Sequence, residues 1–255
     1  MVQCKYRKIG IPIKHIWFQN SKEKSRSKDT YKGVIFYHGV KDVDDDTSTI
    51  IKNKQYSLIT DLSEDELFGK IGKNFRYQIR RAQKEDIECC FYSSQDLKNS
   101  QSILDSFEST YNKMYKDKKI NATFNRKLVE RYIQENAICI TVGFYEDTPY
   151  VFHSYIVDKE DKQVRLLHSC SSFRSEKLLA NLIGRINKLL HWEDMIYFKE
   201  CGIRQYDWGG ISNLNNPNGI DRFKMAFGGN EVAYYNLITA NGIIGKCVLR
   251  IWKLI

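Results

Sequence analysis

Three strand-like segments follow one another in the middle of the chain with only short turns between them. They cover 137–147, 149–159 and 163–171, and each is rich in the β-branched and aromatic residues that strands favour. Polar turns at 146–149 and 159–162 divide them. The pattern predicts a three-stranded β-meander.

Helical segments flank this meander. Two are predicted before it, from about Asp96 to Tyr115 and over 126–135. The segment 178–200 after it is predicted as one long helix or as two helices joined near Trp192. Further predictions are then a strand entered at Gly202 (201–211), a short helix within 213–229 and a strand over 231–238. The alternation predicts an α/β (α+β) fold class.

The first 95 residues show a shorter version of the same alternation. Strands are predicted at 34–40, 56–60 and 87–94. Between them, Ser63 and Glu66 have the spacing of a capping box, which predicts the start of an amphipathic helix.

Positive charge is concentrated at the start of the chain. The net charge is +9, and residues 1–41 carry +8 of it, with 10 basic and 2 acidic side chains. Residues 70–84 add six basic side chains without an acidic one. Such clusters suit a nucleic acid or a phosphorylated small molecule.

Composition excludes several classes of protein. A hydrophobic fraction of 42% is too high for a disordered chain, and no run of about 18 apolar residues offers a membrane span. The first residues lack the apolar stretch of a signal peptide. The seven cysteines lack CxxC spacing, which predicts reduced thiols, a cytoplasmic location and no metal site.

Four parts of the sequence resemble the Fem-type branch of the GNAT superfamily of acyltransferases. They are 75–88, 189–211, 218–229 and the meander. The signature of that branch is a strand ending in Asp-x-Gly-Gly, followed by Gly-x-x-x-Phe-Lys-x-x-Phe-Gly. Here it is found as Asp207-Trp208-Gly209-Gly210 and then as 219–228, with Phe223, Lys224 and Phe227 in register.

The resemblance implies the GNAT acyltransferase fold, a mixed sheet with splayed central strands. Residues 96–238 would form the GNAT domain. Residues 1–95 would form an abbreviated GNAT-like half, completed by 239–255.

Among family members, the length of this chain is similar to that of small N-acyltransferases of surface-polysaccharide (O-antigen or capsule) synthesis. The implied reaction moves an acyl group from acyl-coenzyme A to the amine of a dTDP- or UDP-linked amino-dideoxy sugar, by direct attack of the amine on the thioester. This interpretation expects no stable nucleic-acid partner.

Two alternatives stay open. One is a Fem-type peptidyltransferase that takes aminoacyl-tRNA as donor and acts on a peptidoglycan precursor, which the basic N-terminal region favours. The other is a basic module without enzymatic activity that binds nucleic acid or an anionic membrane.

The resemblance places coenzyme A at the end of the meander. The acyl-CoA would lie in a gap between the splayed strands 149–159 and 163–171, with its pyrophosphate at the N-terminus of the following helix. Ser175 is also expected to cap that helix, although the family's glycine-rich pyrophosphate motif is missing. The predicted donors to the pyrophosphate are Ser171, Ser172, Arg174 and Ser175.

Four residues are candidates for the chemistry. Lys224 matches the family's lysine near the tetrahedral intermediate, where an ammonium stabilises the oxyanion. Asp207, beside two glycines at a strand end, is a candidate to accept or orient the amine proton. His153 and His168 are candidate general bases because an imidazole titrates near neutral pH. The structural alternatives are a surface lysine, a turn-capping aspartate and core histidines.

The acceptor's diphosphate is assigned to the basic helix. Lys73, Arg76 and Arg80 share one face of it at helical spacing. Tyr77 is a candidate to stack on the base. Phe223 is a further substrate-binding candidate, with a core anchor as its structural alternative.

Overall fold

The computed structural model describes residues 1–18, 31–41 and 49–253. These residues form ten strands and eight α-helices. The strands are β1 (Val2–Lys8), β2 (Ile11–Trp17), β3 (Val34–Val40), β4 (Thr49–Asp61), β5 (Ile87–Ser93), β6 (Ile138–Tyr145), β7 (Thr148–Asp158), β8 (Gln163–Ser171), β9 (Gln205–Ile211) and β10 (Asn230–Ala240). The helices are α1 (Leu67–Lys70), α2 (Lys73–Ala82), α3 (Ser94–Leu97), α4 (Gln101–Asp117), α5 (Arg126–Gln134), α6 (Ala180–Glu200), α7 (Gly219–Met225) and α8 (Gly242–Lys253).

The chain divides into two compact units. Unit 1 comprises Met1–Ser57, Gly210–Asn216 and Glu231–Ile255, and unit 2 comprises Leu58–Gly209 and Pro217–Asn230. The halves that the family resemblance implied, 1–95 with 239–255 and 96–238, stay a prediction; the first change of unit along the chain comes after Ser57.

Four strands of unit 1 lie side by side in the order β1-β2-β3-β10, and residues 49–57 of β4 also belong to this unit. β1 and β2 form an antiparallel hairpin, and both turn residues, Ile9 and Gly10, have positive φ angles, as a tight hairpin turn requires. β2 runs parallel to β3, and β3 runs antiparallel to β10. Val248 and Leu249 of α8 are buried in one apolar cluster with Val34 and Ala240 of this sheet.

Unit 2 contains the meander. β5, β6, β7 and β8 pair antiparallel, each with the next strand along the chain. α6 packs against β6 and β7, and α4 packs against β8. Because helices cover these strands, long stretches of β6 and β7 are buried.

The gap between central strands lies one strand further along than predicted. β7 and β8 are paired from Val151↔Ser171 to Asp158↔Gln163, so the expectation of a gap between them is wrong. β8 and β9 instead pair in parallel over only three residues, Gln163–Arg165 with Gln205–Asp207. A short turn joins β7 to β8 and holds them in register, whereas β8 and β9 are connected through the whole of α6 and separate beyond these pairs.

Gly209 lies where β8 and β9 separate. Its φ is +75°, and a Cβ there would lie 3.0 Å from the carbonyl oxygen of Leu166 on β8. Only glycine combines that backbone conformation with that close approach.

The expected capping box at Ser63 is wrong. The backbone N–H and the hydroxyl of Ser63 both donate to Asp61, and Glu66 occupies the N-cap position of α1 without a side-chain hydrogen bond. The single helix predicted from this point is divided into α1 and α2, because the chain at Ile71 is extended and the Gly72 N–H donates to the Ala226 carbonyl. Capping boxes occur instead at Ser93–Asp96 and Asn218–Asp221.

The long helix α6 is continuous through Trp192. Two 3-10 turns, Ser172–Arg174 and Lys177–Leu179, precede it, and Leu179 stands at its N-cap without a side-chain bond. The expectation that Ser175 caps this helix is therefore wrong. In the described part of the chain, no helix is long and apolar enough to cross a membrane.

Candidate functional site

A pocket of about 490 Å³ opens in unit 2 where β8 leaves β9. Its walls come from the ends of α4 and β8, the 3-10 turn after β8, one face of α6, and α7. No aspartate or glutamate is among the described residues that line it. Its basic side chains are Lys118, Arg174, Lys188 and Lys224.

Lys224 reaches this pocket from α7. The Asn218–Asp221 capping box orders the start of that helix. The Lys224 Nζ lies 3.7 Å from the position that a Cβ on Gly209 would occupy, so it stands beside the separation of the strands. Burial lowers the pKa of Lys224 to about 8, with a further lowering by Arg165 that Asp207 and Asp221 oppose. Lys224 is therefore mostly an ammonium at pH 7 and mostly neutral above pH 8.

Two further lysines in the pocket are less basic than usual. The Lys188 Nζ lies 5.0 Å from the ring centre of Phe75 and 5.8 Å from that of Phe223. Burial, with Arg185, lowers the pKa of Lys188, and burial, with Arg174, lowers that of Lys118. Several partly buried cations that line one pocket favour an anionic ligand.

His191 lies at the floor of the pocket, and its side chain is only 2% exposed. Its Nδ1 is 3.3 Å from the hydroxyl of Tyr206. Burial, and then the nearby His153, Lys224 and Lys188, lower the pKa of His191 well below the usual value. His191 is therefore neutral at pH 7.

A buried hydrogen-bonded network lies behind His191. The Tyr206 hydroxyl bonds to that of Tyr155 at 2.7 Å, and Tyr155 donates to the Asp194 Oδ2 at 2.5 Å. His153 Nδ1 contacts the same oxygen at 2.7 Å, and His153 Nε2 lies 2.9 Å from the side-chain oxygen of Asn187. Because Asn187 and His191 both line the pocket, the network meets the pocket at two points.

The donor atoms of His153, His191 and Asp194 lie within 4.8 Å of one another. A metal ion binds an imidazole nitrogen in the plane of its ring. These two rings are stacked with their centres 3.8 Å apart and their planes at 20°, and both nitrogens of His153 already have partners. The arrangement fits a hydrogen-bonded network better than a metal centre.

Asp207 ends the paired part of β9. Its Oδ2 accepts from Arg165 at 2.6 Å, and its Oδ1 accepts from the Gly209 N–H at 2.8 Å. Both oxygens are engaged in holding the chain where the strands separate.

His168 is surrounded by aromatic rings. Phe107, Tyr111 and Phe124 contact it, and its Nδ1 is 2.8 Å from the Ser154 hydroxyl. Burial lowers its pKa to about 4. It is not among the described residues that line the pocket.

The predicted coenzyme A loop contributes two of its four residues to the pocket. Ser171 and Arg174 line it. Ser172 and Ser175 do not, and the Ser172 carbonyl accepts from the N–H and the hydroxyl of Ser175. Cys170 also lines the pocket, but burial raises the pKa of its thiol, which disfavours a thiolate nucleophile.

The residues assigned to the acceptor's diphosphate lie elsewhere in unit 2. Arg76 and Arg80 line a different pocket of about 670 Å³. Arg76 donates to the Gly69 carbonyl, and Arg80 lies over the ring of Phe68. Lys73 and Tyr77 are exposed, whereas Phe223 lines the pocket with Lys224.

Sequence reasoning missed the contribution of α6. Asn187 and His191 are four residues apart, and Asp194 follows His191 by three. This spacing places all three on one side of a helix whose buried face is otherwise mainly apolar. Polar residues at helical spacing inside an apolar face were the available signal.

Comparison with known proteins supports the fold. No family model and no curated protein matches this chain. Among solved structures, FemX aligns with a TM-score of 0.57 and 12% identity over 91% of this chain and 76% of that one. L-PGS from Bacillus licheniformis aligns with a TM-score of 0.55 and 13% identity over 88% of this chain and 73% of that one.

A third structure agrees with these two. It is the C-terminal domain (DUF2156) of a protein assigned as a lysylphosphatidylglycerol synthetase from Agrobacterium fabrum, with a TM-score of 0.55 and 13% identity over 86% of this chain and 71% of that one. These alignments confirm the predicted fold class and show that the fold of this chain is similar to that of FemX, as the sequence resemblance implied.

Proposed function

We propose that this chain transfers an acyl group to an amine in the pocket lined by Lys224 and His191. The observation that carries the proposal is the partly buried Lys224 ammonium, which lies in a basic pocket where β8 and β9 separate. The GNAT-type fold and the Fem-type sequence motif around Lys224 support it.

Lys224 is assigned to the oxyanion. When the amine nitrogen attacks the acyl carbon, a carbon–nitrogen bond forms and negative charge develops on the former carbonyl oxygen. An ammonium in a partly buried pocket stabilises that charge more strongly than one in water. Its pKa of about 8 keeps it protonated at neutral pH.

His191 is assigned to accept the proton of the attacking amine. The neutral ring keeps one nitrogen toward Tyr206, which orients it, and the other is the acceptor proposed for the amine proton. The tyrosines and Asp194 behind it hold the ring in place. The leaving group departs with the bonding electrons and takes up a proton, which completes the transfer.

Asp207 is assigned to positioning. Because its oxygens hold Arg165 and the Gly209 N–H, it orders the backbone beside Lys224 and does not take the amine proton. His153 acts through Asn187 and His191, and His168 has a structural role.

Acyl-CoA is the first candidate donor. Its phosphates suit the basic pocket, and Ser171 and Arg174 of the predicted loop line that pocket. The accompanying acceptor is a nucleotide-linked amino sugar, whose diphosphate would meet Arg76 and Arg80 only if it extended from one pocket to the other.

The second candidate donor is aminoacyl-tRNA, with a peptidoglycan precursor as acceptor. The alignment with FemX over 91% of this chain favours it. The shared chemistry, attack of an amine on an activated acyl group, is the same for both donors.

A transfer assay with product detection by mass spectrometry tests the proposal. Acetyl-CoA with UDP- and dTDP-linked amino sugars forms one arm, and aminoacyl-tRNA with a peptidoglycan precursor forms the other. We expect an N-acylated product in one arm, lost in Lys224→Met but retained in Lys127→Met, an exposed lysine of α5. The proposal fails if Lys224→Met leaves product formation unchanged. It fails equally if neither arm gives product and neither acetyl-CoA nor aminoacyl-tRNA raises the melting temperature.

A further inference from the structure

One face of the helix α8, its inner face, packs against the rest of unit 1. Val248 and Leu249 are buried against the sheet of that unit. A Cβ at Gly245 would lie 2.6 Å from the carbonyl oxygen of Gly33, so the helix backbone approaches that loop closely. Because this packing sets the rotation of the helix about its axis, it also determines which residues lie on the outer face.

Isoleucines lie on that outer face. Ile243, Ile244 and Ile251 are 83%, 62% and 58% exposed. Residues seven and eight apart lie on the same side of a helix, so Ile251 is aligned with both of the others. Single exposed apolar residues are ordinary, but three on one side of one helix form a patch.

Basic residues border this patch. Lys246 and Arg250 are exposed and four residues apart, so they share one edge of the outer face. The sequence 242–255 contains no aspartate or glutamate. The outer face of α8 is therefore apolar along one side and basic along the other.

Unit 1 as a whole is positively charged, like this edge of α8. It contains 15 lysines and arginines against 7 aspartates and glutamates, which amounts to +8 of the chain's +9. An excess of this size attracts a polyanionic surface over about a Debye length.

We propose that the outer face of α8 docks unit 1 onto a membrane surface that contains anionic lipids. An in-plane amphipathic helix places its apolar residues at the boundary of headgroups and acyl chains, while lysine and arginine contact the lipid phosphates. A nucleic-acid ligand would account for the positive charge of this face but not for its exposed isoleucines, because proteins bind single strands through basic grooves and aromatic stacking. This inference does not depend on the proposed acyl transfer.

Vesicle sedimentation with the full chain tests the proposal. Vesicles of phosphatidylcholine with phosphatidylglycerol are compared with vesicles of phosphatidylcholine alone. We expect binding to the anionic vesicles only, weakened roughly tenfold or more by Ile244→Ser/Ile251→Ser and by Lys246→Glu/Arg250→Glu. Matched controls in unit 2 are Ile120→Ser/Leu178→Ser, which also changes two exposed aliphatic residues, and Lys84→Glu/Lys127→Glu, which changes the net charge equally.

The outcomes separate the possible occupants of this surface. The proposal is overturned if anionic vesicles do not bind, or if the unit 2 controls weaken binding as much as the α8 variants. It is also overturned if the isoleucine variants leave vesicle binding unchanged while a single-stranded RNA binds more tightly than the vesicles. Sedimentation velocity shows whether α8 instead joins two copies of the chain, in which case the isoleucine variants dissociate a dimer without changing vesicle binding.

Discussion

Lys224 is subject to opposing influences on its charge. Burial and Arg165 disfavour the ammonium, while Asp207 and Asp221 favour it, and the balance leaves a pKa of about 8. A lysine in this state reduces folding stability at neutral pH, because the unfolded chain binds the proton more readily. Its retention in the pocket is consistent with a role in function.

We predict that Lys224→Met abolishes transfer and stabilises the fold at pH 7. A pKa lowered from 10.5 to about 8 corresponds to a stability loss of about 3 kcal/mol, which methionine removes. Since the unfolded chain binds more protons between pH 8 and 10.5, the wild type regains stability as the pH rises through that window. Thermal melts at pH 7 and pH 10 should show a gain in the variant that shrinks at the higher pH, and a gain of equal size at both would contradict the lowered pKa.

The same pKa predicts an alkaline decrease in activity. The oxyanion role requires the ammonium, so kcat/KM, corrected for the fraction of substrate amine that is deprotonated, should be constant below about pH 8 and decrease tenfold per pH unit above it. A pH–rate profile, with a separate titration of the substrate amine, measures this. A corrected kcat/KM that increases through pH 8 would show that the neutral amine of Lys224 is the active form.

Asp194 is the shared partner of the buried network. We predict that Asp194→Ala lowers stability by about 3–5 kcal/mol, because His153 and Tyr155 would keep their burial and lose their common acceptor. Denaturant unfolding gives the value. The matched change Asp105→Ala on α4, at an exposed carboxylate that pairs with Arg126, should cost less than about 1 kcal/mol.

The separation of β8 and β9 is a property of whole elements. Three backbone pairs hold these strands together, and Gly209 then passes close to Leu166. The basic pocket begins at that point and continues along α6 and α7.

We predict that Gly209→Ala costs about 1–3 kcal/mol of stability and lowers the transfer rate. The positive φ and the approach to Leu166 both oppose a Cβ there, and any relief moves the backbone beside Lys224. Gly202→Ala after α6 is the matched control, since its φ is also positive, at +79°, but a Cβ at that position meets nothing within 4 Å. Equal effects in the two variants would show that the close approach at Gly209 is unimportant.

At the scale of the whole molecule, charge is divided unevenly between the two units. Unit 1 carries almost all of the net charge, whereas the basic and acidic side chains of unit 2 nearly balance. The net positive charge of the chain therefore belongs to unit 1, while the cations that line the pocket belong to a unit with almost no net charge.

All seven cysteines are free thiols. We predict that a reducing agent leaves the unfolding curve of the whole chain unchanged and that iodoacetamide labels Cys201 and Cys247 first, because these two are exposed. Mass spectrometry of the labelled peptides identifies the modified sites. Early labelling of the buried Cys170 would show that the pocket opens more than the structure indicates.

The local elements of this protein were readable from its sequence. The meander and the helices that flank it follow from alternating β-branched residues, polar turns and 3.6-residue periodicity, and the motif around Lys224 pointed to the fold. These signals lie within short stretches of chain, where side-chain pattern and backbone conformation are directly linked.

Only the tertiary structure decided where those elements meet. The gap between strands was expected between β7 and β8, but the short connection keeps these two strands paired. The gap lies instead between β8 and β9, which are distant in sequence. The pocket joins Lys224 to His191 across 32 intervening residues, and it leaves out Arg76 and Arg80. Periodicity determines which face of an element is buried, but the packing of one element on another determines which side chains share a pocket.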